Sequence, residues 1–150
     1  YKNWDLNTLF QGVAGVKAFN AYKYSTYNAS LQGYNLDNRV LGAWSPENTG
    51  SAIPRLATSD DNSNFGTNST WYLENASYLR LKNVTLGYTL PKTAMNRIFE
   101  GSSLRIYVSA DNIFTITDYE GMDPEVGNNG LDIGKYPLSS KYVVGLSLSF

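Results

Sequence analysis

The chain has 150 residues, a net charge of −1 and neither cysteine nor histidine. This composition excludes disulfides, His-ligated zinc and catalysis by Ser-His-Asp or Cys-His arrangements, and the charge gives no electrostatic case for nucleic acid. No run approaches the roughly 18 apolar residues of a transmembrane helix, whereas a membrane β-strand needs only about 10 alternating residues.

The first predicted element is a strand over about residues 1–12, in which apolar and polar side chains largely alternate until Gly12. Residues 13–76 follow as a long, mostly polar connection, in which residues 17–27 show a weak pattern for one or two helices. A connection of this length is uncommon in a compact domain but ordinary for the extracellular loop of an outer-membrane barrel.

The second predicted strand covers residues 77–90. Simple alternation places Arg80 and Lys82 on the same face as the apolar residues after them, and Leu79 and Leu81 on the opposite face. A face that changes from cationic to apolar suits a strand that passes from lipid headgroups into hydrocarbon.

Residues 91–102 form a short connection with room for one helical turn ended by Gly101. The third predicted strand, residues 103–115, places Arg105 and Ser109 on a face opposite to its apolar residues. Charges on that face suit a hydrated lumen better than a soluble core. Residues 115–139 form a second long loop. Four residues are expected to face the lumen: Arg105, Ser109, Ser147 and Ser149. The apolar residues expected on the outer surface are Val84, Leu86, Tyr88, Leu104, Ile106, Val108, Val144, Leu146 and Leu148.

The last predicted strand, residues 140–150, alternates strictly, and its polar face is almost entirely small. This pattern resembles the C-terminal signal of outer-membrane barrels, in which the terminal strand is recognised by the assembly machinery and closes the barrel. We therefore interpret one row of side chains as a barrel-assembly signal: Tyr142, Val144, Leu146, Leu148 and Phe150.

Long and short connections alternate along the chain, as an up-and-down barrel requires. The predicted fold is all-β: an antiparallel up-and-down transmembrane β-barrel segment with two long extracellular loops. Four strands cannot close a barrel, since the smallest bacterial examples use about eight. We therefore expect residues 1–150 to be the C-terminal part of a larger protein's barrel domain.

Three sequence blocks and the terminal strand carry a more specific resemblance. The blocks are WSPENTGSAIPRL (residues 44–56), WYLENASYLRLKNVTLGYTLP (residues 71–91) and LRIYVSADNIFTITDYEGMDPEV (residues 104–126). In order and spacing they resemble the C-terminal region of SusC/RagA-type TonB-dependent transporters.

The resemblance implies the last four strands of a plugged barrel of about 22 strands in the Gram-negative outer membrane, with the plug domain and earlier strands absent from these residues. It further implies import of oligosaccharides or peptides, energised by the TonB complex through the missing N-terminal part and assisted by a SusD-like surface lipoprotein. The implied partners therefore also include outer-membrane lipid. No enzyme activity and no cofactor are expected.

Aromatic residues in the first long loop are candidate contacts to the lipoprotein lid or the substrate. Such rings stack on sugars or peptide side chains, but they also pack loops or form an interfacial girdle. The loop tyrosine Tyr34 has the same two interpretations. The extracellular-loop motif consists of Trp44, Pro46, Glu47, Asn48, Trp71 and Tyr72.

Four carboxylates in the second long loop have close spacing. Oxygen ligands of this kind bind Ca²⁺, but there is no EF-hand pattern, and a solvated acidic loop is the favoured interpretation. These residues are Asp118, Glu120, Asp123 and Glu125.

Two alternatives remain open from the sequence. One is another outer-membrane barrel, such as a passive porin or an adhesin-type barrel. The other is a soluble carbohydrate-binding β-sandwich, in which the apolar rows would pack against a second sheet.

Overall fold

A computed structural model describes residues 2–31, 33–97, 101–126 and 129–150. Some residues of the predicted strands and connections lie outside the described part, namely residues 1, 32, 98–100, 127 and 128. The strands are β1 (Trp4–Val13), β2 (Lys17–Asn20), β3 (Leu73–Asn75), β4 (Tyr78–Thr89), β5 (Ser103–Thr117), β6 (Leu131–Asp132) and β7 (Lys141–Ser149). The helices are α1 (Tyr22–Tyr27), α2 (Lys92–Met95) and two 3-10 helices, Asn38–Gly42 and Thr70–Tyr72.

The four predicted strands form one sheet in the order β1-β4-β5-β7, with every pair antiparallel. The predicted all-β antiparallel fold and its pairing in sequence order are therefore confirmed. The register places Val108 directly opposite both Leu86 and Val144. Because directly paired residues share a face, the predicted outer set forms continuous rows across the sheet.

Both long connections leave and re-enter this sheet at the same end. Val13 at the end of β1 pairs with Tyr78 at the start of β4, which in turn pairs with Thr117 at the end of β5. The opposite end carries the short connection, where α2 forms one turn after Pro91. The predicted helical turn is present, but it ends at Met95 and not at Gly101.

The expected facing of the residues before Val84 is wrong, because a bulge interrupts the alternation in β4. Both registers skip Lys82, between the pairs made by Leu81 and Asn83. Leu79 lies opposite Ile116 and is 45% exposed. Arg80 is 3% exposed and donates from Nε to the Thr115 hydroxyl at 2.7 Å. The extra residue reverses the two faces, so Arg80 joins the polar face and Leu79 the apolar one.

The long connections are not simply loops, because they contain a second sheet in the order β3-β2-β6. Phe19 in β2 lies opposite Leu73 in β3 and, in a parallel pair, opposite Leu131 in β6. The weak helical pattern over residues 17–27 thus divides into a strand and the helix α1. Residues 15–76 and 118–137 together form a compact unit, which we call the loop unit.

The loop unit has its own apolar core. One cluster consists of Tyr27, Val40 and Phe65, with Leu56 and Trp71 packed against it. A second cluster joins Ala18, Ala76 and Tyr119, with Val126 packed against it. No helix among the described residues is long and apolar enough to cross a membrane.

Candidate functional site

One face of the four-stranded sheet is an exposed apolar surface. Leu86, Ile106, Val144 and Leu146 are all exposed there. A continuous apolar surface of this extent marks an interaction or lipid surface. The five residues of the predicted assembly signal lie at one edge of the sheet, and Phe150 is 99% exposed.

The opposite face carries a hydrogen-bonded polar network. Asn83 donates from Nδ2 to the Asp111 carboxylate at 2.6 Å and to the Ser109 hydroxyl at 3.0 Å. The Thr85 and Ser109 hydroxyls lie 2.9 Å apart. Cross-strand bonds of this kind let a polar sheet face exist without a covering layer, because its donors and acceptors are paired within the sheet.

An ion pair spans three strands on the polar face. Arg105 of β5 donates from Nε and Nη2 to the two carboxylate oxygens of Asp5 in β1, at 2.9 and 2.5 Å. The guanidinium passes over Gly87 of β4, where a Cβ atom would collide with both partners. The predicted inward residue Arg105 is therefore held against the sheet and neutralised within it.

The aromatic loop candidates Trp71 and Tyr72 pack inside the loop unit. Tyr72 is 2% exposed, and its hydroxyl donates to the Phe65 carbonyl at 2.6 Å while its ring stacks on Phe19. Trp71 makes edge contacts with Tyr27 and Phe65, and its Nε1 donates to the Ala52 carbonyl at 3.0 Å.

Burial perturbs the phenols of the loop unit. Loss of solvation raises the pKa of Tyr27 and of Tyr72 from 10.0 to about 12. The pKa of Tyr119 is also raised by burial, and then by the hydrogen bond from its hydroxyl to Asp132 at 2.7 Å. All three phenols therefore stay protonated at neutral pH, and the hydroxyls of Tyr72 and Tyr119 act as hydrogen-bond donors.

The motif from Trp44 to Asn48 forms a tight turn on the surface. Asn48 donates from Nδ2 to the Gly42 carbonyl at 3.0 Å, and its backbone N–H donates to the Ser45 carbonyl at 3.0 Å. The Trp44 backbone N–H donates to Ile53 at 2.9 Å. Pro46 and Glu47 at the tip are exposed. The asparagine thus fixes the loop, and the tip is free to contact another molecule.

An open apolar groove adjoins this turn. Its lining includes Leu41, Trp44, Pro46, Arg55 and Leu56. Leu41 is 90% exposed, although its neighbour Val40 is buried in the core of the loop unit. The first 3-10 helix therefore directs one aliphatic side chain into the core and the next into solvent.

A partly buried ionic cluster joins the two long connections. Lys23 Nζ lies 2.5 Å from Glu74 and 3.1 Å from Glu120, and 4.8 Å from the centre of the Trp71 ring. Arg39 contacts the same Glu120 carboxylate at 3.3 Å. The sequence does not predict this cluster, because Lys23 and Glu120 lie far apart in the chain and the local pattern groups Glu120 only with neighbouring carboxylates.

Arg39 also carries a local charge pair with Asp37, the capping residue of the first 3-10 helix. The Arg39 backbone N–H donates to the Asp37 carboxylate at 2.9 Å, and this bond, reinforced by the guanidinium, lowers the carboxyl pKa. In return, the hydrogen bond to Asp37 raises the pKa of Arg39. Both groups are charged at any physiological pH.

The four loop carboxylates are not brought together. Glu120 is engaged by cations, whereas Asp123 accepts the Glu125 backbone N–H at 2.9 Å. Within the described ranges, no group of three or more acidic, histidine or cysteine side chains is arranged to hold a metal ion.

Two curated proteins that are similar to the chain are TonB-dependent receptors. No protein-family model matches the chain. TonB-dependent receptor P3 of Formosa agariphila is 34% identical over 161 residues, covering 100% of this chain and 15% of the receptor. TonB-dependent receptor SusC of Bacteroides thetaiotaomicron is 39% identical over 82 residues, covering 55% of this chain and 8% of SusC. The chain thus spans a small part of the length of these relatives.

Solved structures agree with these relatives. The RagAB peptide importer in its closed-closed state matches 100% of this chain and 16% of its own chain, with a TM-score of 0.82 and 36% identity. The open-open state gives the same TM-score and identity. A further structure of the RagAB peptide transporter matches 99% of this chain with a TM-score of 0.80 and 35% identity.

Proposed function

The chain belongs to the SusC/RagA-type family of TonB-dependent transporters, and we propose that it forms the C-terminal strands of such a transporter's barrel. The family is located in the outer membrane of Gram-negative bacteria. The observation that carries the proposal is the two-faced sheet, with an exposed apolar surface on one side and a self-paired polar network on the other. Lipid suits the first face and a hydrated lumen the second.

The whole protein would import a nutrient that diffuses too slowly through passive pores. In this proposal substrate is captured at the outer side, and pulling by the TonB complex rearranges a plug that precedes this chain. The barrel would have about 22 strands. The RagAB peptide importer supports peptides as the cargo, and the family resemblance implies oligosaccharides as the other class. We propose one of these two classes.

The segment described here would act as fixed wall and loop scaffold. The same TM-score of 0.82 against the closed-closed and open-open states of the RagAB importer supports a segment whose internal fold is alike in both states. A chain held by buried ion pairs and a continuous sheet suits a part that does not rearrange during import.

We further propose that the exposed turn at Trp44, Pro46 and Glu47, with Asn48 fixing its backbone, contacts a SusD-like surface lipoprotein. Leu41 and the apolar groove beside the turn support a protein contact. Trp71 and Tyr72 would act indirectly, by holding the loop core, because their polar atoms are already bonded within it.

Uptake by the full-length protein tests the proposal. Cells that express it are given labelled oligosaccharides and peptides, with and without a functional TonB complex. We expect uptake of one class to disappear when TonB is inactivated. Uptake that persists would identify a passive porin, and recovery of the protein in the soluble fraction would identify the β-sandwich alternative.

The lipoprotein contact has its own test. Trp44→Ala and Leu41→Ala should reduce co-purification of the lipoprotein from detergent extracts, whereas Tyr136→Ala, at an exposed aromatic outside the groove, serves as the control. Unchanged co-purification in both groove variants would remove this surface from the proposed interface.

A further inference from the structure

A row of directly paired residues crosses the polar face of the four-stranded sheet. The row runs from Asp5 in β1 through Gly87 in β4 and Tyr107 in β5 to Gly145 in β7. Glycine has no side chain, so each of the two glycines leaves a space on the sheet surface that a neighbouring side chain can occupy. Both spaces are filled by residues of β5.

The space above Gly145 is filled by the ring of Tyr107. A Cβ atom placed on Gly145 would collide with the Cζ, Cε1 and hydroxyl oxygen atoms of that ring. The Arg105 guanidinium lies 5.1 Å from the ring centre, a cation–π contact that restrains the ring. The aromatic side chain therefore lies flat on the terminal strand.

The space above Gly87 is filled from the other side by Arg105. There a Cβ atom would collide with the guanidinium nitrogens and with a carboxylate oxygen of Asp5. β5 thus extends one side chain over each neighbouring strand. The contacts of Arg105 and Tyr107 join all four strands on one face.

We propose that Tyr107, seated in the space above Gly145, sets the register in which the terminal strand β7 joins the barrel. The inference rests on the proposed function, which gives β7 the role of a closing strand. In the described part of the chain β7 pairs with β5, and this pairing sets its register relative to the strands before it.

Slipped registers conflict with the ring. A shift of one residue would move the apolar row of β7 onto the polar face. A shift of two residues would place Val143 or Ser147 opposite Tyr107, and either side chain would occupy the space that the ring needs. Only the observed register offers a glycine, which makes Tyr107 and Gly145 positioning residues for assembly.

Gly145→Ala in the full-length protein gives a test with a defined sign. Strand propensity favours alanine over glycine, so an unfilled site would tolerate or benefit from the change. We expect a several-fold fall in folded barrel, measured by heat-modifiable electrophoretic mobility of outer-membrane fractions. The double variant with Tyr107→Ala should recover part of this loss, and Ser149→Ala on the same strand face should have no effect. An equal or larger folded amount in Gly145→Ala would overturn the proposal.

The register itself can be measured by disulfide crosslinking, since these 150 residues contain no cysteine. Directly opposite Cα atoms lie about 4.5–5.5 Å apart, within disulfide range. Cysteines at Val108 and Val144 should crosslink, and a pair at Val108 and Leu146 should crosslink only when Tyr107→Ala is added. The absence of slipped crosslinks in that variant would overturn the proposal. Crosslinking as expected in a protein that is not in the outer membrane would keep the register inference and reject the proposed function.

Discussion

Lys23 and Glu74 form a buried ion pair in the loop unit, with Nζ 2.5 Å from Oε1 and both side chains about nine-tenths buried. Glu74 also accepts hydrogen bonds from the Glu120 backbone N–H at 3.0 Å and from the Asn20 side-chain amide at 3.2 Å. The carboxylate therefore has partners from both long connections. Its charge is balanced mainly by a single ammonium group.

Removing that ammonium should destabilise the loop unit. Lys23→Met leaves Glu74 buried without its cation, and breaking a buried pair costs about 3–5 kcal/mol. We expect faster protease cleavage within residues 15–76 of the folded protein. The double variant Lys23→Met with Glu74→Gln should recover much of the protection, and exposed Lys17→Met is the control. Equal sensitivity of the single variant and the control would show that the pair has no structural role.

High pH should weaken the loop unit through its buried phenols. The folded-state pKa values of Tyr27 and Tyr72 are raised from 10.0 to about 12, so their contribution is complete below pH 10 and is lost as pH rises through about 12. We expect proteolytic protection to fall in that window, together with late tyrosinate absorbance. Tyr72→Phe should remove part of the late absorbance, at a cost of about 1 kcal/mol for the bond to Phe65. Titration of all tyrosines together near pH 10 would contradict this.

Cysteine labelling should reveal the bulge at Lys82. Because the faces reverse there, Leu79→Cys should react with a lipid-soluble maleimide as readily as Leu86→Cys, an apolar-face control. Arg80→Cys should not react. Uninterrupted alternation requires the opposite result for positions 79 and 80, so the experiment separates the two arrangements directly.

Deleting Phe150 should impair assembly and leave transport intact. Its ring extends the row of Tyr142, Val144, Leu146 and Leu148 at the end of the sheet that carries the short connection. We expect less folded protein in the outer membrane but normal uptake per folded molecule. Normal abundance with reduced uptake would instead assign Phe150 to the transport mechanism.

The four long strands could be predicted because alternation is local: each strand shows its two faces in its own residues. The bulge could not be predicted, because it is defined by partners on two other strands. The expectation that Arg80 would follow Lys82 onto the apolar face failed for this reason.

The loop unit was largely beyond sequence reasoning. The pairing of Phe19 with Leu131 and the contact of Lys23 with Glu120 join residues about a hundred positions apart. Tyr72 has the composition of a ligand-stacking residue, yet its hydroxyl and ring are both used internally. Residue type alone does not distinguish an aromatic that packs a loop from one that faces solvent.

The ionic and strand contacts between the two long connections have an evolutionary consequence. Residues 15–76 carry Lys23 and Phe19, whereas residues 118–137 carry Glu120 and Leu131, so each segment supplies half of the shared contacts. Recombination that exchanged one segment between related transporters would separate those halves. Diversification of the surface loops should therefore proceed by joint inheritance of both segments, while the strands between them stay constant.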